Sequence, residues 1–258
     1  MVIYKRYKLY YYMDKYGLIG YPLKHSFSQG YFNEKFNSEQ IDSEYINFEI
    51  AQITEFKQII KNNPNLKGLN VTIPYKEKII PYLDELSANA KEIGAVNVIK
   101  FIRNKGKLKL AGHNSDIVGF KQSIEPLLKE HHKKALILGT GGSAKAIYHG
   151  LRQLGLGAVF ASRDKLKDVF LYKELDEKIM HECAVIVNCT PVGMFPNVDE
   201  CPPIPYEYLT PQHLLYDLLY NPDETLFLKS GKSKGATVKN GLEMLLLQAF
   251  VSWEIWTS

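Results

Sequence analysis

Apolar residues change their spacing repeatedly along the chain, from short continuous runs to helical periods and back. Residues 16–20 and 45–48 are short apolar runs, the first stopped by Pro22, and between them residues 28–36 carry aromatics at helical spacing. Residues 53–61 return to helical spacing, 66–71 read as a strand, and 76–93 read as one or two helices. Two further strands, 95–101 and 108–112, are joined through Asn104, Lys105 and Gly106. Asp116 stands where an N-cap would, ahead of a helix predicted to run to about residue 130 and closed by the charged run 129–134. A buried-strand signal at 135–138 then leads directly into Gly139-Thr140-Gly141-Gly142-Ser143-Ala144, a helical stretch to Leu154 and a strand at 158–162. That is a βαβ unit with a glycine-rich first turn. Residues 184–189 and 214–218 supply more strands, and 242–256 form an apolar closing helix. Strands alternating with helices predict an α/β protein with mostly parallel sheet.

Composition narrows the class. The 258 residues are 45% hydrophobic and 23% charged, which excludes intrinsic disorder and suits one large domain or two modest ones. The formal net charge of +4 is a small excess spread over many residues, so neither a nucleic acid nor an anionic membrane is expected as a partner. No apolar run approaches the ~18–20 residues of a membrane span. The first twelve residues contain Lys5, Arg6 and Lys8 but no apolar core of a secretory leader; they supply three of the four net positive charges and read as an extension or mobile tail ahead of Met13. Cys183, Cys189 and Cys201 are odd in number and lack C-x-x-C spacing, so no disulfide framework or metal site is indicated and a reducing cytoplasm is expected.

Candidate chemistry lies at the ends of the predicted strands. Close glycines after a strand let the backbone approach a pyrophosphate, whose charge the following helix N-terminus stabilises. Ser162-Arg163-Asp164-Lys165-Leu166-Lys167 ends the second strand of that unit, where a ribose or its 2′-phosphate would lie. Arg163 and Lys167 favour the phosphate of NADP, whereas Asp164 would repel it and leaves NAD open. In the first half, Ser26 and Ser28 stand two apart and suit a carboxylate or hydroxyl-bearing ligand, with an N-cap role compatible; His25, just before them, reads as structural. Lys76 and Asp116 each follow a predicted strand. Alone, each would be a solvated charge or a cap; together they can hold an ammonium whose partial burial lowers a pKa that starts near ~10.4.

In order, the motifs are G-x-P-x-x-H-S-x-S at 20–28, N-V-T-x-P-x-K at 70–76, G-A-V-N at 94–97, N-S-D-x-x-G at 114–119, the glycine turn at 139–146, Tyr220-Asn221-Pro222, and N-G-L-x-M-L-x-x-Q-A at 240–249. In these the chain closely resembles the shikimate/quinate dehydrogenase family. The resemblance implies reversible NADPH-dependent reduction of 3-dehydroshikimate to shikimate in aromatic amino-acid biosynthesis. It also implies two domains: a substrate domain at 13–115 rejoined by 239–258, and a Rossmann-like NADP-binding domain at 116–238, with the chemistry in the cleft between them. By resemblance, Ser26 and Ser28 bind the substrate carboxylate, and Thr72, Lys76, Asn97, Asp116 and Gln248 surround the ring hydroxyls and reacting carbon, with Tyr220 lining the cleft. Lys76 is the candidate proton donor in reduction and acceptor in oxidation, with Asp116 as its orienting partner; a Lys76 that mainly binds substrate is the alternative. The resemblance further implies that Gly139, Thr140, Gly141, Gly142, Ser143, Ala144, Ser162, Arg163, Asp164 and Lys167 hold the dinucleotide, that Gly241 and Met244 lie near the nicotinamide, and that Leu218 lies on the cofactor side of the cleft. Ser115 and Val98 stand where the family usually has Thr, and Asp164 where it has a neutral hydroxyl residue. A quinate or dual dehydrogenase using NAD, and a nucleotide-sensing protein without turnover, are the alternatives. The partner expected is a small molecule, the assembly a monomer or homodimer, and no metal.

Overall fold

The computed structural model describes residues 13–23 and 26–258, so the predicted tail at 1–12 and His25 lie outside the described residues. The chain divides into two compact units, Met1–Ser115 with Ser252–Ser258, and Asp116–Val251. The division falls inside the last helix, so residues 239–251 group with the second unit and not, as the motif order implies, with the first.

The first unit is a six-stranded sheet in the order β2-β1-β3-β5-β6-β4. Its strands are β1 (Asp14–Gly20), β2 (Ser43–Glu49), β3 (Leu66–Val71), β4 (Glu85–Leu86), β5 (Val98–Asn104) and β6 (Lys107–His113). β1 pairs in parallel with β2 and β3, whereas β5 runs antiparallel to both β3 and β6. Helices α1 (Phe27–Ser38), α2 (Phe56–Asn62) and α3 (Ala88–Ile93) connect them. Ile19, Phe56, Leu66, Leu69, Ile79 and Ile99 build the apolar core on one side. An aromatic cluster includes Phe32 stacked on Tyr45 with ring centroids 4.8 Å apart and Tyr16 against Trp256 at 5.0 Å. The Trp256 indole N–H donates to the Ile99 carbonyl at 3.1 Å, tying the chain's last turn to β5.

Residues 76–93 depart from the helical expectation. Their apolar spacing is real, but Pro81 limits the first part to a 3-10 turn at Ile80–Tyr82, and a two-residue strand, β4, follows. Only Ala88–Ile93 is α-helical, opened by the Ser87 side chain accepting from Ala90 N–H and closed by Gly94 at φ 70°.

In the second unit all six strands are parallel, in the order β12-β11-β10-β7-β8-β9. They are β7 (Lys134–Leu138), β8 (Gly157–Ser162), β9 (Val169–Leu171), β10 (Val185–Asn188), β11 (Leu214–Asp217) and β12 (Thr237–Lys239), crossed by α5 (Gly142–Gln153), α6 (Glu177–Glu182) and α7 (Leu226–Ser233). The chain leaves β7 first toward β8 and β9, then returns to the far side of β7 at β10, which is the doubly wound arrangement with its switch point between β7 and β10. Alternation along β7 feeds both faces: Ala135 and Ile137 pack with Phe120, Ile147 and Leu151, while Leu136 and Leu138 pack with Ile186, Leu215 and Phe227. α4 (Asp116–Ile124) takes in Asp116 as its first helical residue and stops well short of residue 130, because Pro126 turns the chain into a 3-10 turn at Glu125–Leu127. The final helix, α8, is Leu242–Thr257.

Candidate active site

In the first unit the predicted site residues fall along one edge of the sheet. β1, β2 and β3 end there, and because β5 is antiparallel its first residue, Val98, pairs with Asn70 of β3 and His113 of β6 at that same edge. Ser26 and Ser28 open α1 just after β1; Thr72 and Lys76 follow β3; Asn97 immediately precedes β5. Backbone hydrogen bonds fix these segments to one another. Thr72 N–H donates to the Ile19 carbonyl at 2.9 Å, Val71 N–H to the Asn97 carbonyl at 2.9 Å, and Val96 N–H to the Lys76 carbonyl at 2.7 Å.

Ser26 occupies the N-cap position of α1 in extended backbone, yet its side chain makes no capping bond. Its Oγ is buried and has no hydrogen-bond partner among the described residues. A buried hydroxyl left unsatisfied costs about 1–3 kcal/mol, so this one is poised for an acceptor that the protein does not itself provide. Ser28 is half-buried. Asn97 is 3% exposed, its Nδ2 donating to Ser115 Oγ at 2.9 Å and its Oδ1 accepting from Ser115 N–H at 2.7 Å. Lys76 and Thr72 are half-buried.

In the second unit the predicted cofactor residues also follow the carboxyl ends of strands. Gly139–Ala144 come after β7, Ser162–Lys167 after β8, Leu218 and Tyr220 after β11, and Gly241 and Met244 after β12. Gly139 has φ 101°, a conformation that side chains resist, and a Cβ there would also lie 3.0 Å from Thr190 Cγ2. Gly141 is the N-cap of the twelve-residue α5 and has open space where a Cβ would be. The turn therefore leaves backbone N–H groups accessible at a helix N-terminus, a donor set that fits a pyrophosphate. Gly241 serves a different purpose: a Cβ there would sit 2.1 Å from the Leu218 carbonyl oxygen, so its backbone lies directly on the segment after β11.

The turn after β8 is built around Ser162, whose Oγ donates to the Asp164 carbonyl at 2.5 Å and accepts from Asp164 N–H at 3.1 Å. Arg163 Nε lies 3.4 Å from Asp164 Oδ2, but the two side chains are 88% and 76% exposed, so water screens the pair and Arg163 can turn toward a phosphate at little cost. Lys167 is exposed on the same turn. Asp116 is buried at the start of α4, Met244 is buried on α8, and Gln248 on α8 donates to the Leu245 carbonyl at 3.0 Å.

Several buried polar residues were not singled out as site residues by the sequence. Asn70 and Tyr45 in the first unit, and Asn188, Asp217 and Thr225 in the second, are all at most 5% exposed. Asp217 accepts from Thr225 Oγ1 at 2.6 Å, from Leu219 N–H at 3.0 Å and from Asn188 Nδ2 at 3.0 Å, joining the ends of β10 and β11 to the N-cap of α7. Burial nevertheless dominates, pushing its carboxyl up to about 6. For Asn70, Asn188 and Asp217 the one sequence signal is a polar residue at or next to the end of an apolar strand run. Among the described residues, no cluster of three or more His, Cys, Asp or Glu could hold a metal, and no helix is long and apolar enough to cross a membrane.

The doubly wound parallel sheet and its glycine turn define a Rossmann-like dinucleotide-binding unit, carried on a chain whose first unit gathers polar side chains at one sheet edge. Residues 18–99 match the shikimate dehydrogenase substrate binding domain, and the chain is 37% identical to a shikimate dehydrogenase (NADP(+)) of Desulforamulus reducens, over 93% of this chain and 89% of that one. The chain belongs to the shikimate dehydrogenase family. Among solved structures, it is similar to shikimate dehydrogenase from Aquifex aeolicus, with a TM-score of 0.83 and 35% identity over 95% of this chain and 92% of that one. It is likewise similar to a shikimate dehydrogenase in complex with NADP+, with a TM-score of 0.82 and 34% identity over 95% of this chain and 90% of that one.

Proposed function

We propose that this protein catalyses the reversible reduction of 3-dehydroshikimate to shikimate with NADPH. The observation that carries the reading is the polar set at the edge of the first sheet, above all the buried Ser26 hydroxyl with no partner among the described residues. A small acid bearing several hydroxyls needs many convergent hydrogen-bonding groups, and a buried orphan donor suits its carboxylate. Ser26 and Ser28 take that carboxylate. Thr72, Asn97 and Gln248 take ring hydroxyls, and Tyr220 lines the site. Lys76 and Asp116 carry the proton transfer, Lys76 giving the proton to the carbonyl oxygen in reduction and taking it from the hydroxyl in oxidation.

The dinucleotide, when bound, supplies or accepts the hydride. Gly139, Thr140, Gly141, Gly142, Ser143 and Ala144 cradle its pyrophosphate at the start of α5. Ser162, Arg163 and Lys167 hold the 2′-phosphate beside Asp164, whose carboxylate already has Arg163 as its neighbour. Leu218, Gly241 and Met244 flank the nicotinamide. We place the enzyme in the cytoplasm, a reading supported by its three cysteines, which form no disulfide among the described residues. Steady-state oxidation rates with shikimate or quinate, each with NADP+ or NAD+, test the proposal: kcat/KM is highest for shikimate with NADP+, and a higher value for quinate with NAD+ would replace it.

A further inference from the structure

One buried carboxyl ties together the segments that follow three neighbouring strands of the second unit. The two oxygens of Asp217 have different partners. Oδ1 accepts from Asn188 Nδ2 at 3.0 Å and from Leu219 N–H at 3.0 Å, while Oδ2 accepts from Thr225 Oγ1 at 2.6 Å. Asn188 Oδ1 in turn accepts from Thr190 N–H at 3.0 Å and from Thr190 Oγ1 at 2.7 Å. Thr190 stands against the glycine turn, its Cγ2 only 3.0 Å from where a Cβ on Gly139 would be. The bonds therefore run from the end of β11, past the end of β10, to the turn after β7. These three strands are adjacent in the sheet, so the chain crosses about 10 Å of its carboxyl edge.

The roles within this chain follow from donor arithmetic. Asn188 gives its amide hydrogens to Asp217 and, at 3.4 Å, to the Val192 carbonyl, and its oxygen takes both Thr190 donors. With no hydrogen or lone pair left over, its side chain acts as a strut. Asn188, Asp217 and Thr225 are fully buried, so they act on a ligand through the backbone they hold. That backbone is the Leu218–Leu219 segment. Leu218 N–H donates to the Asn188 carbonyl at 3.0 Å, and the Leu219 carbonyl accepts from Gly241 N–H at 2.9 Å.

We infer that Asp217 is a positioning residue that registers the Leu218–Leu219 segment against the glycine turn, with Asn188 and Thr190 as the strut between them, and so fixes where the nicotinamide of a bound NADP lies relative to its pyrophosphate. The inference rests on the proposed reading that the pyrophosphate sits at Gly139–Ala144 and the nicotinamide beside Leu218, Gly241 and Met244. It assigns a share in cofactor affinity to a carboxyl that does not touch the cofactor.

Adenosine 2′,5′-bisphosphate shares the adenosine phosphates of NADP+ but has no nicotinamide, and it separates this role from a general loosening of the fold. The test titrates wild type, Asp217→Ala, Asp217→Asn and Met244→Ala with NADP+ and with the bisphosphate, following the change in protein fluorescence. Asp217→Ala removes all three bonds and weakens NADP+ by about tenfold, the net worth of about one buried hydrogen bond, while leaving the bisphosphate almost unchanged. Asp217→Asn retains Oδ1, and with it the bonds from Asn188 and Leu219, so NADP+ affinity returns close to that of wild type. Equal weakening of both ligands in Asp217→Ala, unaltered NADP+ affinity in that variant, or an Asp217→Asn as weak as Asp217→Ala would each overturn the inference. If wild type binds neither ligand, or Met244→Ala weakens neither, the cofactor placement fails and the inference with it; if Met244→Ala weakens NADP+ and Asp217→Ala does not, only the positioning role fails. Should Asp217→Ala not fold, Asn188→Ala interrupts the same chain, and a loss shared equally by both ligands, or no loss, in that variant would overturn the inference.

Discussion

Replacing Asp217 by Asn isolates the energetic cost of one buried carboxyl beside the segment assigned to the cofactor. Asp217 is fully buried, and although three donors face it, burial lifts its carboxyl from 3.8 to about 6. A folded-state pKa above the unfolded value means that the folded protein keeps a proton that the unfolded chain gives up. The stabilisation is therefore complete below about pH 4 and is lost as pH rises through about 6, and the shift corresponds to about 3 kcal/mol. Asn at this position does not titrate. Its oxygen can still accept from Asn188 and Leu219, and its amide can donate to Thr225 Oγ1 once that hydroxyl turns. Urea unfolding of both proteins at a series of pH values between about 4 and 7 reads the difference directly, since every other titrating group is common to both. Wild type loses about 3 kcal/mol relative to Asp217→Asn across that interval. Parallel stability curves would refute the reasoning and show that the three donors fully offset the burial.

Three further substitutions test the proposed site. Lys76→Ala should lower kcat by about 10²–10⁴-fold, the usual worth of a general acid–base group, with NADP+ affinity by titration almost unchanged; full retained turnover would remove Lys76 from the mechanism. Arg163→Ala should raise KM for NADP+ by about tenfold and leave KM for NAD+ as it was, since a charge-assisted hydrogen bond is worth about 1.5–3 kcal/mol and only NADP+ carries the 2′-phosphate. An equal change for both cofactors would place Arg163 elsewhere than at that phosphate. Gly139→Ala forces a side chain into φ 101° and close to Thr190, at a cost of about 1–3 kcal/mol, and should weaken NADP+ binding in a fluorescence titration; unaltered affinity would show that the turn does not hold the cofactor.

Much of this arrangement was legible because certain residues leave little choice. The run at 66–71 is observed as Leu66–Val71, and Gly139 together with Gly141 marks a strand-to-helix turn that few other residues could make. Reading failed where periodicity and breakers compete. Residues 76–93 place Ile79, Ile80, Leu83, Leu86 and Ala90 at helix-like intervals, but those side chains pack from a 3-10 turn, a two-residue strand and a short helix, because Pro81 and the Ser87 cap interrupt the backbone. Pro126 likewise stopped α4 before the charged run that marked its expected end. The hydrogen bonds that join Tyr45 to Asn70 and Asn70 to Ser252 were invisible for another reason. Their partners are 25 and 182 residues apart, and a polar residue at a strand end gives no sign of which distant partner satisfies it until the fold brings them together.

The central claim is a reaction, and its products test it most directly. Incubating the purified protein with 3-dehydroshikimate and NADPH, and following both the loss of reduced nicotinamide and the organic acid formed by chromatography, should give one shikimate for each NADPH consumed. Formation of no shikimate while NADPH binds normally would contradict the account and leave a nucleotide-binding protein without this chemistry.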